Sequence, residues 1–204
     1  ITAEGDSYVV RANGDVLPFM TLDVANAAKG ETATLALGGE VTVTDAPVTV
    51  GEGGVLLVSN KLTVVKGVET VNRFTVGEGG KVVVRDPSEG RPAELILSRT
   101  SGLTDWNLAG GEVVFSNTAA FKPTSAGTVQ FNLGSGSMTF ADQSVMHPND
   151  AVAGSNPIIS VTPNAAGETS TLTLDNDFSD RNVSRRHYLG SGAIYVGDCV
   201  GGKG

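Results

Sequence analysis

The chain of 204 residues has one cysteine, Cys199, and two histidines, His147 and His187. A single thiol excludes an intramolecular disulfide framework, and zinc-type ligand spacing is missing. Cys199 reads as a tail cysteine without a chemical role, with pairing between chains open to it in an oxidising compartment. Positive charge is also scarce. Acidic residues outnumber basic ones 22 to 14, for a net charge of −8, and Arg185-Arg186 is the only basic cluster. A nucleic-acid binder would carry a basic face, so nucleic acid and anionic membranes are excluded as partners. No run approaches the ~18 apolar residues of a membrane helix. No signal peptide is evident. A chain beginning at Ile1 fits a processed, exported product and equally a trimmed fragment. Aromatic residues make up only 5 %, with one tryptophan, Trp106.

Glycine, in contrast, is plentiful. There are 27 glycines, roughly twice the usual share of ~7 %, among many Thr, Val and Ala. This is an all-β profile rich in turns. The glycines are also ordered. "LALGGEVTVTD" (35–45), "VTVGEGGVLLVSN" (48–60), "FTVGEGGKVVVRD" (74–86), "WNLAGGEVVFSN" (106–117), "QFNLGSGSMTFAD" (130–142) and "HYLGSGAIYVGD" (187–198) each read strand, glycine turn, strand. Apolar residues alternate after the turn, as at Val41/Val43 and Met138/Phe140. A polar stop follows at Asp45, Asn60, Asp86, Asn117, Asp142 and Asp198. Aligned on Gly39, Gly54, Gly80, Gly111, Gly136 and Gly192, the units are 15, 26, 31, 25 and 56 residues apart, the last being twice 28.

Internal similarity at 20–50 residues marks stacked repeat units. Short strands in each unit predict a parallel β-solenoid (β-helix), with the glycines at equivalent corners. Gly alone supplies φ > 0 or a tight backbone approach without strain. The alternative is a set of hairpins in an antiparallel β-sandwich or jelly roll. Units such as "VGEGGKVVV", "LAGGEVVFSN" and "LGSGSMTF" resemble the passenger repeats of bacterial autotransporter adhesins, over roughly 31–142 with an echo at 187–198. The resemblance implies a parallel β-helix displayed outside a bacterial cell as an adhesin or stalk. The chain departs from that family in being short and in lacking a C-terminal membrane barrel.

Outside the repeat, residues 1–30 read as an N-terminal cap or exchange segment. Tyr8-Val9-Val10 is followed by an Asn13-Gly14 turn and the apolar Val16, Leu17, Phe19 and Met20; "TLDVANAAKG" (21–30) predicts a short helix ending at Gly30. The apolar set Tyr8, Val9, Val10, Val16, Leu17, Phe19 and Met20 could complete a neighbour's sheet by strand addition, building a filament. Residues 143–198 are irregular and loop-rich, with Pro148, Pro157 and Pro163, and 199–204 form a flexible tail.

The catalytic inventory is thin. The Gly-Glu-Gly-Gly turns are not phosphate loops: strands flank them on both sides, and Glu52 and Glu78 repel phosphate. No Gly-x-Ser-x-Gly elbow and no polygalacturonase-type Asp-Asp or Gly-His-Gly signature is present. Asp86 and Glu89 lie near Arg91 without the marks of an acid–base pair. Trp106 sits inside a repeat unit, where core packing accounts for it. Asn182-Val183-Ser184 is a glycosylation sequon, relevant only in a eukaryotic secretory setting. The densest carboxylates, Asp175, Asp177 and Asp180, are the only calcium candidate, and the EF-type pattern fails there; a solvated turn is the plainer reading. Arg185, Arg186 and His187 are the candidate for an acidic glycan or another anion, and equally balance those aspartates.

Two functions of different class follow. One is a non-catalytic structural protein, extracellular or at the cell surface: a stalk, an adhesin or a self-assembling filament subunit whose partners are itself or a surface glycan or protein. The other is a carbohydrate-active β-helix enzyme or glycan-binding module. No catalytic residue and no cofactor other than calcium is expected.

Overall fold

The computed structural model describes residues 2–4, 8–10, 14–16, 22–25, 30–66, 74–86, 91–99, 104–125, 128–146, 156–161, 168–176, 186–189 and 193–196. These residues contain 22 strands and no helix.

The strands fall into successive triplets. The first is β1 (Thr2–Glu4), β2 (Tyr8–Val10) and β3 (Gly14–Val16), and the second is β4 (Leu22–Ala25), β5 (Ala33–Leu37) and β6 (Glu40–Thr44). The third is β7 (Val48–Val50), β8 (Gly54–Val58) and β9 (Lys61–Lys66); the fourth is β10 (Phe74–Gly77), β11 (Lys81–Arg85) and β12 (Glu94–Arg99). The fifth is β13 (Thr104–Ala109), β14 (Glu112–Ser116) and β15 (Ala120–Ser125), and the sixth is β16 (Thr128–Asn132), β17 (Ser137–Asp142) and β18 (Val145–Met146). Two pairs close the series: β19 (Asn156–Val161) with β20 (Thr171–Asn176), and β21 (Arg186–Leu189) with β22 (Ala193–Val196).

Each triplet sends one strand to each of three sheets. Sheet A runs β1-β4-β7-β10-β13-β16-β19-β21, sheet B runs β2-β5-β8-β11-β14-β17-β20-β22, and sheet C runs β3-β6-β9-β12-β15-β18. Strand pairs are parallel in all three sheets, as in β8 with β11 and β9 with β12. An antiparallel sandwich or jelly roll is therefore excluded. The glycine corners bend the chain from one sheet into the next instead of folding a strand back on its predecessor.

Alternation in the sequence becomes alternation between core and surface. Sheet B buries the rows Leu35-Leu56-Val82-Val113-Met138-Leu172 and Leu37-Val58-Val84-Phe115-Phe140, stacked residue over residue by the register. Sheet C buries Val41, Leu62, Leu95 and Phe121, and sheet A buries Val50, Val76 and Leu108. All join one apolar cluster. Burial of each such side chain contributes on the order of 1.5–3 kcal/mol. The few aromatics concentrate in the fifth and sixth triplets. Phe115 stacks on Phe140 at 4.8 Å between centroids and lies tilted against Phe121 at 5.4 Å.

Two expectations need correction. The helix over 21–30 gives way to β4 at Leu22–Ala25: Leu22 and Val24 are buried and Asp23 faces out, which is a strand's two-residue period. Gly39 is not equivalent to the other corner glycines. It lies between β5 and β6, at the bend from sheet B to sheet C, whereas Gly54, Gly80, Gly111 and Gly136 lie at the bend from A to B. The short interval of 15 residues joins two different corners. The long interval of 56 spans β19–β20, an extra pair of strands whose A–B bend carries Ser170 in place of glycine.

Candidate functional site

The A–B corners stack into a column that needs glycine twice, for two reasons. The first glycine takes up positive φ: 67° at Gly53, 71° at Gly79 and 93° at Gly110. The second has no room for a side chain. A Cβ on Gly54 would stand 2.1 Å from the carbonyl oxygen of Val24, and one on Gly80 2.4 Å from that of Val50. At Gly136 the obstacle is the carbonyl oxygen of Gly111, 2.4 Å away. Backbone bonds close each bend, as from Gly54 N to Gly51 O and from Gly80 N to Gly77 O, both 2.9 Å.

Stripped of side chains, this column is a trough on the outer surface. One hollow of about 440 Å³ is lined by Glu78, Ala109, Gly110, Ser135, Glu168 and Thr169. A second, about 320 Å³, shares Gly110, Ser135 and Thr169 and extends over Gly80, Gly111 and Gly136 to Lys81, Glu112, Ser137 and Thr171. The Ser135 hydroxyl donates to Glu168 Oε2. Lys81 pairs with Glu112 at 2.8 Å. Three carboxylates against one ammonium make the trough acidic. Its hydroxyls, carboxylates and bare peptide floor suit a polar, uncharged or cationic chain, and acceptors of this kind would repel an anion.

The B–C corners are built oppositely, from side-chain hydrogen bonds. Asn117 donates from Nδ2 to Asp86 O at 2.9 Å, and Asp86 Oδ1 accepts the N–H of Thr118 at 2.9 Å. One triplet further, Asp142 Oδ2 accepts the N–H of Asn117 at 2.9 Å. Asn117 and Asp142 both have φ of 57°, a conformation that Asn and Asp tolerate better than other side chains. Asn60 reaches Gly38 O at 3.4 Å. Ser144 is buried and donates from Oγ to Phe115 O at 3.2 Å. The polar stops Asn60, Asp86, Asn117 and Asp142 are thus structural ties; Asp198 lies outside the described residues. Asp86 is 6 % exposed and committed to Thr118, and Arg91 pairs with Glu40 at 3.6 Å; Glu89 lies outside the described residues. Asp45, the other stop with positive φ, stands at the bend from sheet C to sheet A.

Beside this corner, Glu40 pairs with Lys61 at 2.6 Å. The hydrogen bond and charge of Lys61, with a smaller contribution from Arg91, hold the Glu40 carboxyl below the usual glutamate range. Lys122 pairs with Glu94.

The residues singled out in the sequence are dispersed. Asp175 is in β20 opposite Ala141, and Asp177 and Asp180 lie outside the described residues. Arg186 and His187 are in β21 opposite Ile158 and Ile159; Arg185 lies outside. Tyr8, Val9 and Val10 form β2 and pair with β5 of the same chain, and Val16 in β3 pairs with Val43. Leu17, Phe19, Met20 and Cys199 lie outside the described residues. Trp106 is in β13 opposite Phe131. Among the described residues no three His, Cys, Asp or Glu side chains converge on a metal position. The trough escaped the sequence reading because Glu78, Ser135 and Glu168 are far apart in the chain. A scan against family models and searches of curated proteins and solved structures each find no match.

Proposed function

We propose that the three sheets are the walls of a parallel β-solenoid, and that the protein is a non-catalytic, extracellular stalk or adhesin of the kind its autotransporter-like repeats suggest. The observation that carries this reading is the continuous parallel stacking of corresponding strands from successive triplets and pairs over a single apolar core. Such a stack grows by adding identical circuits and so provides length and stiffness. Eight strands at ~4.8 Å give a rod about 34 Å long. Pairing of β2 and β3 with β5 and β6 of their own chain favours the stalk over a strand-exchanged filament.

The trough favours one second reading, a glycan-binding module, because its hydroxyls and carboxylates are spaced by strand stacking along the rod. Beads coated with the chain would be tested for attachment to cells and to a glycan array, alongside turnover assays on neutral and acidic polysaccharides. Attachment without turnover is expected. Reproducible polysaccharide cleavage abolished by Glu78→Gln or Glu168→Gln would replace the stalk by an enzyme. A crystal structure in which successive triplets do not wind around one common core would remove the solenoid.

A further inference from the structure

The three sheets present different outer faces. On sheet A the central outward row holds Asp23, Thr49, Thr75 and Asn132, and on sheet C it holds Thr42, Thr63, Ile96 and Lys122. On sheet B the same row is Leu57, Val83 and Val114 on adjacent strands, with Val55 beside Leu57, all partly exposed. Sheet C also shows Val65 and Ile96, but only on sheet B are four aliphatic side chains contiguous among the described residues, and such a patch marks a contact surface.

We propose that this face of sheet B binds a second copy of the chain, related by a two-fold axis that runs parallel to the strands between β11 and β14. Charge selects both occupant and axis. Lys81 and Glu112 are register partners at the N-terminal edge of the patch, and Arg85 and Ser116 are partners at its other edge. The strand-parallel axis sets Lys81 against Glu112 of the second copy, Glu112 against its Lys81, and Val83 against its Val114. The two internal ion pairs then become one alternating four-charge cluster at the rim. The other in-plane axis, perpendicular to the strands, would oppose Lys81 to Arg85 twice, which is repulsive. The centre of the patch, Val83 and Val114 with Lys81 and Glu112, is thus self-complementary about the strand-parallel axis, as an isologous interface requires, while Leu57 and Val55 face Thr139 and Ser137 of the second copy. Facing sheets about 10 Å apart would interdigitate these side chains. This inference rests on sheet register and stands whether or not the chain is a stalk.

The test is sedentation-equilibrium centrifugation of the full chain, with circular dichroism confirming that each variant keeps its strands. The wild type is expected to dimerise. Val83→Thr with Val114→Thr keeps β-propensity and removes the apolar contact, and should weaken the dimer at least about tenfold. Lys81→Glu alone sets like charges across the axis and should weaken it by a similar factor, whereas Lys81→Glu with Glu112→Lys restores it. A wild type that stays monomeric up to millimolar concentration overturns the proposal. So does a dimer that ignores the threonine pair, or one that Lys81→Glu weakens and the double reversal fails to recover.

Discussion

The A–B and B–C corners turn the same chain through the same core and solve the problem in opposite ways. The A–B corner removes atoms: Gly53 or Gly79 takes the left-handed conformation, and Gly54 or Gly80 lets the backbone touch the preceding triplet. The B–C corner adds atoms: Asp86, Asn117 and Asp142 tie each bend to the next with side-chain hydrogen bonds. At Gly54, Gly80 and Gly136 the clearance admits no graded substitution, because the obstacle is backbone that other strands hold in place. A corner closed by hydrogen bonds loses stability bond by bond. The first also leaves a trough on the surface; the hollow beside the second, lined by Asn60, Lys61 and Glu94, is smaller, about 210 Å³.

The largest effect that would break this contrast is at the clearance positions. Gly54→Ala places a methyl 2.1 Å from the Val24 carbonyl oxygen. Its cost should reach about 3 kcal/mol or more, at the upper end for overpacking, read as a fall in the urea midpoint. A loss under about 1 kcal/mol would show that the stacked strands slide apart easily, and the contrast would fail.

Next come the tied positions. Asn117→Ala loses the bond to Asp86 O and leaves an alanine at φ 57°. The cost should be about 2 kcal/mol, the sum of one hydrogen bond and the left-handed penalty. Asn117→Gly relieves the backbone part only and should recover about half. Equal losses for the two variants would mean that the side-chain bond alone matters.

Ser170 sharpens the contrast from inside the glycine column. It occupies the position of Gly136 one strand on in sheet B, is fully buried, and its hydroxyl has no hydrogen-bond partner. Ser170→Ala removes a buried, unsatisfied hydroxyl and should stabilise the protein by about 1 kcal/mol, seen as a raised thermal midpoint.

The smallest effect is electrostatic. Lys61 lowers the folded-state pKa of Glu40, so the carboxylate's contribution is present above the ordinary glutamate value. It is lost as pH falls through the lower folded value. Glu40 is a surface group, 36 % exposed, so the effect on stability is slight. A nuclear magnetic resonance titration reads it directly: Lys61→Met should move the Glu40 midpoint upward, and an unmoved midpoint would mean that the pair does not form in solution.

Much of this architecture was legible in the residues. Alternation in "EVTVT", "GVLLV" and "KVVVR" set which side chains face the core, because a strand's period is fixed by covalent geometry. The recurring glycines marked bends, and the 56-residue gap marked a circuit with a weaker signature. The short helix over 21–30 was a misreading: its alanines favour a helix, yet Leu22 and Val24 already carried the two-residue period that stacking on Val48 and Val50 enforces. Gly39 was misplaced because "GGEVTV" and "GGEVVF" are nearly the same phrase, although one bends from B to C and the other from A to B.

The sequence by itself determined strand, bend and inward row, since these depend on neighbours a few residues apart. Only the tertiary structure decided that the strands are parallel, that Lys81 lies beside Glu112, that Ser135 reaches Glu168, and that Leu57, Val83 and Val114 lie side by side on sheet B. Those relations join residues about 25–35 positions apart. They depend on how many residues each bend consumes, a number set by backbone clearance at the corners and written in no local pattern.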